Sequence, residues 1–179
     1  APTWRDDEFV KKGQYLFDLK INLANLKEQI GDEYVILLRM HYLIANALDL
    51  TGYDDFAIDV SNYNDISELY LISDALITDY SSVMFDYGIL KRPQFFFAYD
   101  IDKYDKGLRG FYMDYMKDLP GPIYTEPYGL AKKLKDLDKV QDEYQDQIDA
   151  FYDRFCSVDD GKASQYIGEL IHKDIEENK

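Results

Sequence analysis

A second cysteine is missing from this chain: Cys156 stands alone among 179 residues. One thiol cannot close an internal disulfide, and no C-x-x-C pair or zinc-ligand spacing accompanies it, so a disulfide scaffold and a zinc module are excluded. With no histidine beside it, Cys156 reads as an ordinary buried or half-buried thiol in a reducing compartment. Proline and glycine are scarce at 5 and 10 residues, and neither a repeat nor a low-complexity tract occurs, which removes linker and solenoid readings. No apolar run reaches the length of a membrane span, and Ala1 to Asp6 lacks the basic and apolar regions of a signal peptide. Positive charge is also short. Twenty basic against 35 acidic residues give −15, a surface that repels nucleic acid and anionic lipid.

What is present is apolar and aromatic. Hydrophobic residues make up 46% of the chain, with 10 Phe and 17 Tyr, enough for the core of one domain spanning residues 1–179. Leu19, Leu23, Leu26 and Ile30 recur at a helical period, predicting a helix over Leu16 to Ile30 that stops at Gly31. A continuous apolar run at Tyr34 to Leu38 predicts a strand covered on both faces, and Phe56 to Val60, Ala75 to Thr78 and Pro93 to Phe97 read as further short strands. Between them lie a short helix from Ile66, capped by Asn64 or Asp65, and another opened by Ser81 or Ser82. Residues 99–126 read as a long loop, followed by helices over 137–155 and 162–177. Strand and helix alternate, so the expected fold is α/β: a Rossmann-like parallel sheet with helices on both faces. The start at Ala1, without an initiator methionine, leads us to expect a piece of a longer polypeptide whose first strand is mostly cut away.

In such sheets ligands bind outside the carboxyl ends of the strands. Thr78, Asp79, Ser81 and Ser82 fall there, where hydroxyls and orphan N–H groups of a helix start can meet a phosphate. Ser81 as a plain N-cap and Asp79 as a turn residue account for the same pattern. His41 follows a strand end and titrates in a useful range, although a lone His there also serves as a structural hydrogen-bonding group. Arg5 and Arg39 offer guanidinium forks for phosphate, or ion pairs in an acidic protein. His172 sits among acidic residues as a solvated group. No G-x-G-x-x-G, Walker A, G-x-S-x-G or H-E-x-x-H pattern occurs, which leaves a nucleotide-diphosphate transferase or a plain binding module.

Six ordered motifs go further. Ala1-Pro2-Thr3-Trp4-Arg5, Asp59-Val60-Ser61 with Tyr63-Asn64-Asp65-Ile66, Ser73 through Ser82 with Phe85-Asp86-Tyr87, Arg109-Gly110-Phe111-Tyr112, Leu119-Pro120-Gly121-Pro122 and Asp159 through Ser164 resemble the C-terminal region of the CDP-glycerol glycerophosphotransferase family. The resemblance implies the C-terminal half of a two-domain glycosyltransferase B-type fold and transfer of glycerol phosphate from CDP-glycerol, with release of CMP. The implied partners are the N-terminal half of the same enzyme and a lipid-linked polyol-phosphate acceptor, at the cytoplasmic face of the cell membrane. It further implies that Ser81 and Ser82 hold the donor diphosphate, with Arg5 adding charge there, and that His41 is the acid/base group; Thr78 and Asp79 join the binding candidates by their place at the strand end. Tyr42 stands where the family often has proline. No cofactor beyond the donor is implied, and no metal ligand. CDP-ribitol polymerases share the motifs; a nucleotide-sugar transferase, with Asp79 or Asp86 holding the sugar, and a non-catalytic interaction domain are the other readings.

Overall fold

The computed structural model describes residues 1–3, 9–11, 14–15, 19–41, 49–105 and 110–178. A short antiparallel hairpin joins β1 (Phe9–Lys11) to β2 (Gln14–Tyr15). The remaining strands form two parallel ladders: β3 (Ile36–Leu38) with β4 (Ala57–Asp59), and β5 (Leu76–Thr78) with β6 (Gln94–Phe97) and β7 (Ile123–Tyr124). Helices separate them: α1 (Leu23–Ile30), α2 (Ile66–Ile72), α3 (Val83–Gly88), the single turn α4 (Ile101–Lys103), α5 (Pro127–Lys133), α6 (Leu137–Phe155) and α7 (Ala163–Glu177).

Alternation along β6 shows why helices cover both faces. Successive side chains of a strand point to opposite sides. Phe95 and Phe97 pack with Leu23 and Leu26 of α1 and Leu130 and Ala131 of α5. Phe96 points the other way, to Met84 of α3 and Phe151 of α6. Both clusters exclude water almost completely, as the all-apolar sequence Phe95-Phe96-Phe97 requires. The α/β architecture expected from the sequence is therefore the one observed.

Local chemistry sets the element ends. The Asn22 side chain accepts the Asn25 N–H at 2.9 Å and starts α1 at Leu23. Leu19 lies outside the helix and packs against the core, so the helix is shorter at its start than the apolar period predicts; residues 16–18 lie outside the described residues. Asp65, one of two cap candidates, accepts the Ser67 N–H at 2.8 Å and opens α2. Helices α6 and α7 match the two expected near the end of the chain. Helix α7 buries none of its residues, leaving Tyr166, Ile167, Leu170, Ile171 and Ile175 exposed.

Within the segment read as a long loop, Ile123–Tyr124 pairs with Phe96 and Phe97 and adds a third strand. Close approach here requires Gly121: a Cβ at that position falls 1.9 Å from the backbone oxygen of Gln94. Gly121→Ala is therefore expected to lower stability by about 1–3 kcal/mol, the usual cost of forcing extra volume into a packed site. Urea unfolding followed by far-UV circular dichroism measures it, and an unchanged midpoint would contradict this packing.

Candidate functional site

Strand β5 is paired with β6 on one side, and residues 1–3 run beside it on the other. The Ala1 amino group donates to the Ile77 carbonyl at 2.9 Å, and the Thr78 hydroxyl donates to the Ala1 carbonyl at 2.6 Å. One oxygen of Asp79 then accepts two backbone N–H groups, from Thr3 and from Tyr80, each at 2.7 Å. Thr78 and Asp79 are buried. A buried carboxylate needs such donors, because an unsatisfied one carries a large desolvation cost. Their polar groups thus join the β5 exit to a segment 76 residues away in sequence.

The turn that follows leaves two hydroxyls at the edge. Ser82 occupies the N-cap position of α3 but makes no side-chain cap bond, and it is exposed. Among the described residues, the hydroxyl of the half-buried Ser81 makes only a long 3.5 Å contact, accepting from the Val83 N–H. Either serine was expected to cap the helix through its hydroxyl; Ser82 takes the position, and neither hydroxyl is used up by a strong cap bond.

His41 lies three residues past β3 and is half-buried. The carboxylate of Asp74, just before β5, contributes to raising the pKa of Tyr34, just before β3, after burial and Glu33. His41 follows β3 and Ser81 and Ser82 follow β5, each beyond the carboxyl end of its own strand. Arg39 does not face that edge with an open fork: it donates to the carbonyls of Val60 and Tyr63 at 2.9 and 2.5 Å. It pins the chain leaving β4. Arg5 lies outside the described residues. His172 is exposed on α7, 3.2 Å from Glu176.

Sequence reasoning missed the support beneath the serines. The Tyr80 ring stacks on Tyr104 with centroids 3.9 Å apart and touches Phe111 and Tyr115. Its hydroxyl donates to Asp100 at 2.9 Å, and the Tyr115 hydroxyl donates to the Asp79 carbonyl at 2.8 Å. The segment read as a loop is thus an aromatic buttress holding both sides of the Asp79-Tyr80 peptide. Its density in Tyr and Phe was the available signal. Asp86, on α3, has its carboxyl pKa raised, first by burial and then by Asp159.

A cleft of about 420 Å³ opens between β3 and β5, bordered by Ala1 to Thr3, by Val35 to Arg39 and by Ala75 to Asp79. Ser81, Ser82 and His41 do not line it. It follows the strands lengthwise rather than crowning their carboxyl ends. Among the described residues no helix is long and apolar enough to cross a membrane.

Comparison with known proteins places these features in a lineage. The family described as CDP-glycerol:poly(glycerophosphate) glycerophosphotransferase matches residues 1–173. A teichoic acid poly(glycerol phosphate) polymerase of Staphylococcus epidermidis is 84% identical over 99% of this chain, which covers 24% of that relative. A solved structure of the wall teichoic acid polymerase TagF superposes with a TM-score of 0.86 at 84% identity, over 99% of this chain and 43% of its own. A variant of that polymerase soaked with CDPG matches at 82% identity, over the same shares and with the same TM-score. The chain thus spans about a quarter of the first relative and less than half of the solved chains.

Two stability results follow from the geometry. Asp79→Ala removes the acceptor of the buried Tyr80 N–H and the partly buried Thr3 N–H and is expected to cost about 1–3 kcal/mol, whereas Tyr115→Phe loses one hydrogen bond, about 0.5–1.5 kcal/mol. Chemical denaturation of both variants checks the order, and a neutral Asp79→Ala would refute the anchoring role. Cys156 is buried, donates to the Phe85 carbonyl at 3.4 Å, and has its thiol pKa raised by burial and then by Asp159 and Asp86. At pH 7.5 its reaction with a disulfide reagent should be about tenfold or more slower in the folded chain than in the unfolded one, since the thiolate is the reactive form.

Proposed function

The chain belongs to the CDP-glycerol:poly(glycerophosphate) glycerophosphotransferase family, and from that premise we propose that it forms the donor-nucleotide half of a teichoic acid glycerol-phosphate polymerase. In this reading the donor is CDP-glycerol and the acceptor a lipid-linked polyol phosphate. The cytoplasmic face of the cell membrane is the setting, and the N-terminal half of the same two-domain enzyme forms the opposite wall. The single observation that carries it is the pair of hydroxyls, Ser81 and Ser82, left at the carboxyl edge of β5 by a turn fixed from beneath by Asp79 and the tyrosines.

Phosphoryl transfer depends on placing donor and nucleophile in line and on stabilising spread negative charge. The terminal acceptor hydroxyl attacks the glycerol-bearing phosphorus, a new P–O bond forms, and the P–O bond to the bridging oxygen breaks. CMP departs with the bond's electron pair. His41 takes the hydroxyl proton. Ser81 and Ser82 donate to the diphosphate, with Arg5 supplying positive charge locally in a chain of net charge −15. Thr78 and Asp79 serve the diphosphate by holding the turn that presents the serines. CDP-glycerol acts as substrate, and the reading invokes no further cofactor. The 84% identity to a poly(glycerol phosphate) polymerase supports glycerol over ribitol as the donor polyol.

In the complete polymerase, His41→Ala is expected to lower the rate of glycerol-phosphate incorporation by about 10²–10⁴-fold, the usual contribution of general acid–base catalysis, with donor affinity little changed. The double variant Ser81→Ala/Ser82→Ala should weaken CDP-glycerol by about tenfold or more, because hydrogen bonds to charged groups contribute about 1.5–3 kcal/mol each. Radiolabelled incorporation and calorimetric titration read the two effects separately. An unchanged rate for His41→Ala refutes its catalytic role, and tighter binding of a UDP-sugar than of CDP-glycerol or CDP-ribitol points to sugar transfer instead.

A further inference from the structure

One sequence motif has no part in the donor reading: Asp59-Val60-Ser61, where the chain leaves β4. The ladder that it ends sets its place. In a parallel ladder the bonds are evenly spaced, and every second residue of β3 turns its polar groups to β4. Ile36 pairs with Ala57 and donates to the Phe56 carbonyl at 2.8 Å; Leu38 pairs with Asp59 and accepts the Val60 N–H at 2.9 Å. The next rung in that register would run from the Met40 N–H to the Val60 carbonyl. In its place, the Met40 N–H donates to the Ser61 hydroxyl oxygen at 3.0 Å, and the Val60 carbonyl accepts from Arg39 Nη1 at 2.9 Å.

Two side chains thus carry β3 past its last backbone rung. Met40 is buried, so its N–H needs an acceptor. Ser61 supplies one through a hydroxyl of fixed orientation: the Ser61 O–H donates to Asp59, and the same carboxylate oxygen accepts the Ser61 N–H at 2.9 Å. With its proton committed to Asp59, the hydroxyl turns a lone pair to Met40. Arg39 closes the other side by donating to the Tyr63 carbonyl as well. Both residues that precede His41 are therefore tied to the loop after β4.

We propose that Asp59 and Ser61 are positioning residues for His41: the Asp59 carboxylate orients the Ser61 hydroxyl, the hydroxyl holds the backbone at Met40, and that backbone sets where the imidazole stands against the acceptor hydroxyl. This rests on His41 being the proton acceptor in the proposed transfer. In this role Asp59 and Ser61 touch neither substrate nor the reacting atoms. A general base must lie within hydrogen-bond reach of the proton it takes, and a misplacement of about 1 Å costs about 10²-fold in rate. Serine suits the position because one hydroxyl both donates and accepts; alanine does neither, and threonine keeps both. The donor serines sit on a different turn, after β5, which Asp79 fixes. A shift of the Met40 backbone therefore changes the rate and spares donor binding.

Steady-state glycerol-phosphate incorporation by the complete polymerase tests it, with the CDP-glycerol Kd read by calorimetry. Ser61→Ala should lower kcat by about tenfold or more while the Kd stays within about twofold, and Ser61→Thr should recover most of the rate. In the His41→Ala background, Ser61→Ala should cause no further loss, because residues that act as a unit are not additive. Should the alanine variant fail to fold, Ser61→Cys, close in volume and a weak acceptor, is expected to show the same pattern. An unchanged kcat in the Ser61 variant, with His41→Ala slowed, overturns the positioning role and leaves His41 as the base. Donor binding weakened in step with kcat makes Ser61 a general support of the fold and overturns it too. Losses that multiply in the double variant also overturn it, since Ser61 then acts apart from His41. A His41→Ala enzyme at full rate overturns both assignments.

Discussion

One buried carboxylate organises the edge of this molecule. A single oxygen of Asp79 accepts the N–H of Thr3 and the N–H of Tyr80, and so it ties the segment at the start of the chain to the turn that leaves β5. The two hydrogen bonds require each other. Without Thr3 the carboxylate loses a donor that offsets its burial, and without Tyr80 the turn loses the bend that brings the serines to the surface.

The consequences spread through Tyr80. Its backbone is held by Asp79 and its ring by Tyr104, Phe111 and Tyr115, while the Tyr115 hydroxyl returns to the Asp79 carbonyl. Backbone and side chain of the same turn are thereby fixed from two directions. Phe96 extends this cluster through its edge contact with Tyr115, which connects the turn to the interior of β6. A site on such a support can present hydroxyls with little freedom to reorganise, the condition under which preorganised donors act on a charged ligand.

Much of the fold is legible from apolar pattern. Phe95-Phe96-Phe97 and Leu76-Ile77-Thr78 announce strands because each is a short run bounded by polar or turn residues. Strand β7 escapes notice because Ile123 and Tyr124 make only a two-residue pairing that is created by β6 rather than by their own propensity. The start of α1 is misjudged because Leu19 shares the helical period by coincidence, while Asn22 decides the boundary through one hydrogen bond. At the site, the position of Thr78 through Ser82 follows from strand-then-cap reasoning. The phosphate role proposed for it rests on family motifs, not on spacing. What Asp79 does is invisible in local sequence, because its partner N–H belongs to Thr3, and no local rule reaches across 76 residues.

Under the proposed function, the same seam is how an acidic chain serves an anionic donor. Net charge describes the whole surface, whereas binding depends on the few groups that converge at one edge. The most direct test is a crystal structure of the full-length protein with CDP-glycerol bound. The donor diphosphate is expected within hydrogen-bonding distance of the Ser81 and Ser82 hydroxyls, with His41 on the same side of the sheet. A nucleotide seated between β3 and β5, or a diphosphate away from both serines, would contradict it.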